Sequence, residues 1–199
     1  MDEILKDVYT WSAYSEEKKL HFNGHFISSQ HPLFGNVVID PPQTSDSDLE
    51  QMESLGSVQH IIITNRDHIR WSQKFQQKFG AEIHMNVNEI TSSAIVPDRV
   101  FNHHDMIAGF LQAVAIPDNK TPGETALFWS YRKILFLGDA LIGKPPGAVT
   151  LLPDEKYDDI IKAKVGIKIL QNLDFKHLLL GDGYSILHKG KKVVSQYFH

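Results

Sequence analysis

His60-Ile61-Ile62-Ile63-Thr64-Asn65-Arg66-Asp67-His68-Ile69-Arg70 is the stretch on which the fold turns. Side chains alternate between the faces of a strand, so three consecutive isoleucines must bury themselves on both sides. That is the habit of strands inside layered α/β proteins. The polar residues that follow form a loop, and Trp71, Phe75 and Phe79 recur at four-residue spacing with Gly80 behind them, which predicts a helix over about 69–79. Three other runs repeat the apolar-strand-then-turn pattern: Asn36-Val37-Val38-Ile39-Asp40 before Pro41-Pro42, Ile134-Leu135-Phe136-Leu137-Gly138 before Asp139, and His177-Leu178-Leu179-Leu180-Gly181 before Asp182-Gly183. In α/β sheets, polar groups just past such strand ends are where sites assemble.

Working outward, further strands are expected at Val8–Trp11, Leu20–Ser28, Gly109–Ala115 and Thr125–Trp129. Thr44-Ser45-Asp46-Ser47 offers N-caps for a helix carrying Leu49, Met52 and Leu55 and stopping at Gly56. A longer helix is expected over about 153–173, with Pro153-Asp154-Glu155 in its first turn and an apolar side of Tyr157, Ile160, Ile161, Ile167, Leu170 and Leu173. Residues 86–104 read as irregular. The sum is a layered α/β protein with a mixed sheet.

A chain of 199 residues, 42% hydrophobic and 22% charged, can bury one good core, and residues 1–199 are read as a single domain. Its 20 Lys+Arg against 24 Asp+Glu leave a net charge of −4, which lacks the basic footprint of non-specific nucleic-acid binding. With no cysteine, thiolate nucleophiles, disulfides and Cys-ligated metals are excluded. No apolar run is long enough to span a bilayer, and the N-terminal residues lack the basic and apolar regions of a secretory signal. A cytoplasmic protein without membrane or nucleic-acid partners is expected, acting on a small-molecule substrate or ligand, with a homodimer as the default assembly. There is no G-x-S-x-G elbow, and Gly143-Lys144 lacks the preceding glycine of a phosphate-binding loop.

Four segments in order carry a resemblance: Thr64-Asn65-Arg66-Asp67-His68-Ile69-Arg70, Thr121-Pro122-Gly123-Glu124-Thr125, Leu135-Phe136-Leu137-Gly138-Asp139 and Gly181-Asp182-Gly183. Together they resemble the motif set of the metallo-β-lactamase superfamily: T-H-x-H-x-D-H, P-G-H-T, an apolar strand into G-D, and G-H-G. The resemblance covers residues 20 to 190 and implies a four-layer α/β/β/α sandwich whose motifs ligate one or two zinc ions that activate water for hydrolysis. This chain departs from the motifs at defined places. Asn65 and Asp67 stand at the two leading His positions, Ile69 at the Asp position and Arg70 at the last His position. Glu124 and Asp182 replace two further histidines, and Asp139 alone is kept. His68 is one residue out of step.

The resulting candidate metal set is Asn65, Asp67, His68, Glu124, Asp139 and Asp182, with Asp67, His68 and Asp139 as the groups nearest any chemistry. So oxygen-rich a set suits Mg²⁺, Mn²⁺ or Ca²⁺ better than Zn²⁺. Two readings stay open. One is a metal-dependent hydrolase, with Asp139 bridging, acting on a small ester, thioester, lactone or phosphoester. The other is an inactive protein of the same fold, a binding or interaction module without metal. In it the converging carboxylates need counter-charges from Arg66, Arg70 and His68, with Arg70 paired to Asp182 or Glu124. Asp40 is expected to bond to the first-motif loop, and Trp11, Phe34, Trp71 and residues 142–146 to wall the pocket. His103-His104 reads as a surface loop, and His21 and His25 as neighbours on one strand face.

Overall fold

The computed structural model describes residues 1–29, 31 and 33–198. Two sheets carry the fold. The first runs, in chain order across the sheet, through β1 (Asp2–Leu5), β2 (Val8–Ser15), β3 (Leu20–Ile27), β4 (Asn36–Ile39), β5 (Val58–Ile63), β6 (Glu82–Asn86) and β7 (Arg99–Phe101). The second holds β8 (Met106–Ile107), β9 (Leu111–Ala115), β10 (Thr125–Trp129), β11 (Ile134–Leu137) and β12 (His177–Leu180), in the reverse order. β4 to β7 are mutually parallel, as are β11 and β12, and the remaining pairs are antiparallel. Among the described residues, four α-helices complete it: α1 (Asp46–Ser54), α2 (Ser72–Phe79), α3 (Ile160–Ile167) and α4 (Gly190–Tyr197).

The isoleucine run does what its sequence requires. Ile61 and Ile63 pack with Val38, Met85, Met52 and Phe75 beneath α1 and α2, while Ile62 lies between the sheets with Val37, Phe136, Leu127 and Leu179. A third core under α3 and α4 gathers Leu135, Leu137, Leu178, Leu180, Ile167 and Val194. Helix, sheet, sheet, helix is therefore the layering, as expected. Among the described residues no helix is long and apolar enough to cross a membrane.

Local chemistry sets the helix ends. Ser45 accepts from the Asp48 backbone N–H to start α1, and Gly80, at φ 67°, ends α2 in the left-handed conformation glycine tolerates best. The long helix expected over 153–173 is instead three pieces: 3₁₀ turns at Asp154–Lys156 and Lys168–Asn172 flank the shorter α3. Tyr157 is extended, and Asp159 takes an extended backbone and caps the N–H groups of Ile161 and Lys162. The cap competes with helix continuation and wins. Residues 86–104, expected to be irregular, contain a 3₁₀ stretch over Val87–Ser92 and the edge strand β7.

Asn23 helps to sew the two sheets together. Asn23 on β3 donates its backbone N–H to Gly181 at 2.7 Å, and its side-chain Nδ2 to the carbonyls of Leu180 and Gly183 at 2.8 and 2.7 Å. The same edge of the sandwich carries the ends of β4, β5, β11 and β12, where Asp40, the 64–70 loop, Asp139 and Asp182 meet.

Candidate functional site

At the end of β5, Thr64 donates its backbone N–H and its hydroxyl to the two oxygens of Asp40, at 2.8 and 2.6 Å. Asp40 sits at φ 50°, a left-handed bend that brings its carboxylate across to the neighbouring strand end. Asn65 caps the next turn by accepting from the Asp67 N–H at 2.9 Å, and this turn delivers His68 into the interior. His68 is buried, with Nδ1 2.8 Å from Asp40 Oδ2 and Nε2 3.3 Å from Asp139 Oδ1.

Arg70 of the same loop and two side chains from elsewhere, Lys120 and Glu124, close the site. Arg70, also left-handed at φ 41°, places Nη2 2.5 Å from Asp182 Oδ1 and 3.2 Å from His68 Nε2. From the loop before β10, Lys120 Nζ lies 2.6 Å from Asp139 Oδ2 and 2.7 Å from Asp67 Oδ2. Glu124 accepts from Asn65 Nδ2 at 2.7 Å and from the Ala140 N–H at 3.1 Å. Gly138 makes this crowding feasible: a Cβ there would stand 2.4 Å from Thr64 Oγ1 and 2.9 Å from both Asn65 Nδ2 and Glu124 Oε1.

The electrostatics follow from this wiring. Burial and Arg70 pull the His68 imidazole down, and Asp40 and Asp139 outweigh them and hold it at about 10. Burial alone would raise Asp139, yet His68 and Lys120 keep its carboxyl well below the usual range. Asp40 is likewise lowered against its burial by His68, Arg70 and Thr64. Lys120 is raised, since Asp139 and Asp67 overcome its partial burial. Glu124 goes the other way: burial and the Asp139 charge push it well above the carboxylate range. The site is a lattice of alternating charges built from the chain's own residues.

All six candidate residues converge here, but their donor atoms are committed. Asn65 and Glu124 hold each other, Asp67 and Asp139 share an ammonium, and Asp182 holds a guanidinium. His68, Asp139 and Asp182 do bring one ligand atom each to within 4.8 Å of one another, a grouping that could hold an ion. A pair of metal ions does not fit this donor set, because Lys120 and Arg70 already neutralise the carboxylates it would need. Of the expected counter-charges, Arg70 pairs with Asp182, whereas Arg66 turns to Glu89 at 3.8 Å. Glu89 is fully buried and accepts from the Gly123 N–H at 3.0 Å.

Lys120 is the residue that sequence reasoning missed. Its signal was slight: a lysine directly ahead of Thr121-Pro122-Gly123-Glu124, where a solvated side chain is the ordinary reading. The pocket wall also differs from expectation. Trp11 is buried against Phe75 and donates its Nε1–H to Thr44, and Phe34 lines clefts away from these motifs. An open cleft of about 800 Å³ instead adjoins the site, bordered by Arg66, Asn88, His103, Asn119, Lys120 and Asp158. His103 and His104 are exposed, as expected, while His25 is buried and His21 exposed on β3.

Solved structures share this architecture. A metallo-beta-lactamase from Pontibacter korlensis is 16% identical with a TM-score of 0.74, the match covering 98% of this chain and 95% of that one. A metallo-beta-lactamase family protein from Thermus thermophilus is 14% identical with a TM-score of 0.72, over 98% and 79% of the two chains. A third protein, solved in a di-iron-bound form, is 16% identical with a TM-score of 0.71, over 94% and 97%. No curated protein matches the sequence. A sequence profile described as the metallo-beta-lactamase superfamily matches residues 3–198, nearly the whole length, and it agrees with the four ordered motifs and with the two-sheet sandwich. The chain belongs to the metallo-β-lactamase superfamily.

Proposed function

We propose that this protein is a metal-independent binding module of its fold, in which an ammonium and a guanidinium take the electrostatic place of metal cations. One observation carries the reading: Lys120 Nζ lies between Asp67 and Asp139 at 2.7 and 2.6 Å. A divalent ion at those carboxylates would have to expel a partly buried ammonium from two charge-assisted hydrogen bonds. The adjoining cleft is of the size that takes a small molecule, and its rim of Arg66, Asn88, His103 and Asn119 favours a polar one.

A second reading, a hydrolase using a single hard ion such as Mg²⁺, Mn²⁺ or Ca²⁺ on a small ester, thioester, lactone or phosphoester, has its own support. Asp40 backs His68 on Nδ1, the outer-shell arrangement common behind metal-ligating imidazoles, and Nε2 faces Asp139 and Asp182. It requires Arg70 to leave Asp182.

Elemental analysis and thermal melts of tag-free, chelator-free protein separate the two. The binding-module reading expects Asp182→Asn to change neither the metal content nor the response of the melt to Mg²⁺, Mn²⁺, Ca²⁺ or Zn²⁺. Stoichiometric metal that Asp182→Asn abolishes would overturn it.

A further inference from the structure

Outside the motif site, the first sheet brings a second set of ligand-type side chains together. β5 and β6 are parallel neighbours with His60 opposite Glu82 and Ile62 opposite His84. Glu82 and His84 are two residues apart on β6 and so share a face, and the parity of β5 puts His60 on the face of Ile62, toward the second sheet. One ligand atom from each of His60, Glu82 and His84 lies within 4.8 Å of the others. His60 Nδ1 is 3.0 Å from His84 Nε2, with the ring planes at 64°.

We infer that His60, Glu82 and His84 form a transition-metal site, taking Zn²⁺ or an ion of similar preference, at the far end of β5 from the Lys120–Arg70 lattice. Two imidazole nitrogens bound to one tetrahedral zinc stand about 3.3 Å apart, close to the separation seen. Two nitrogens and one carboxylate suit Zn²⁺, Co²⁺, Ni²⁺ or Cu²⁺ rather than Mg²⁺ or Ca²⁺. Glu82 does have a competing partner, Arg99, 2.9 Å from Oε1, but that pair is exposed on both sides and holds weakly. An open cleft of about 690 Å³, bordered by Phe34, Gln59, His60 and Glu82, gives access and leaves room for a fourth ligand from solvent or a bound molecule.

A hydrogen bond between the two imidazoles would by itself account for their approach, so the test must find the metal. Tag-free full-length protein is titrated with Co²⁺ and followed by its visible absorption, then with Zn²⁺ as competitor. The expected result is one Co²⁺ per chain with the intense bands of a tetrahedral site, displaced by Zn²⁺, and affinity reduced at least about 100-fold in His84→Ala. Glu82→Gln, at a side chain that the fold does not bury, guards against a misfolded histidine variant and is expected to weaken Co²⁺ by about tenfold. Asp182→Asn is expected to leave the titration unchanged. Failure to bind Co²⁺, binding indifferent to both Glu82→Gln and His84→Ala, or binding lost in Asp182→Asn would each overturn the assignment.

Discussion

The two ends of β5 present contrasting ligand sets. At the C-terminal end, Asp40, Asp67, Asp139 and Asp182 converge, and the chain supplies the cations itself through His68, Arg70 and Lys120. At the N-terminal end, two imidazoles and a carboxylate converge, and the cation that reaches them is the exposed Arg99, bonded to Oε1 of Glu82. The lesson is that a cluster of ligand-type residues is not diagnostic of a metal until its counter-charges are located. The oxygen-rich end resembles a metal centre in sequence and resembles a salt lattice in space.

The largest test of that contrast is Arg70→Ala. It strands Asp182 beside His68 in a buried site, and removing one partner of a buried pair typically costs about 3–5 kcal/mol. Urea melts measure it, and a loss within about 0.5 kcal/mol, the range of ordinary surface changes, would mean the lattice contributes nothing. Lys120→Met is expected to cost about 1–3 kcal/mol, because Asp139 keeps His68 and Asp67 is partly solvated. The same variant frees both carboxylates, so a Mg²⁺- or Mn²⁺-dependent rise in melting temperature absent from the parent is expected to appear. No such rise would sever the proposed equivalence of lysine and metal.

A pH series addresses the lattice through His68. Its value in the folded protein, about 10, lies above the ordinary 6.5, so folding tightens its hold on the proton. That contribution is complete below pH 6.5 and drains away as pH climbs toward 10. Raised Glu124 also loses stability as pH rises, starting from its ordinary 4.5, while depressed Asp139 contributes stability above the ordinary 3.8 that disappears in acid. Unfolding free energy measured across pH 6.5 to 10 is expected to decline, and Asp40→Asn, which removes a counter-charge from His68, to flatten the slope. The smallest effect belongs to the other end of β5. Without metal, Glu82→Gln is expected to shift stability by no more than about 0.5 kcal/mol, since it disturbs only an exposed pair with Arg99.

The strands that the sequence announced most plainly were those buried on both faces, although β2, β3, β9 and β10 were expected too. Ile61 to Ile63 and Leu178 to Leu180 feed two cores at once and read as unbroken apolar runs. β6 was illegible for the converse reason. Only Ile83 and Met85 meet the outer core, while Glu82, His84 and Asn86 line the other face, and five residues of alternation after a helix-ending glycine make a faint signal. α4 also went unread, because its Lys191-Lys192 start resembles a solvated tail. In the site, the motif order named Asp67, Glu124, Asp139 and Asp182, and charge balance offered Arg70 either Asp182 or Glu124, of which Asp182 is the partner in the structure. Lys120 could not be located that way: it lies nowhere near Asp67 in sequence, and only the return of the loop before β10 brings the two together.

Asn23 has a consequence in the time domain. Its three bonds reach residues 180, 181 and 183, so the first sheet is tied to the second by a stretch made some 157 positions later. On a ribosome, β1 to β7 can pair among themselves before residues 180–183 are made, so this tie, and with it Asp182, comes only after β12. Until then Arg70 has a cationic head and no carboxylate to receive it, and the nascent chain carries an unfinished charge pattern that the final strand completes.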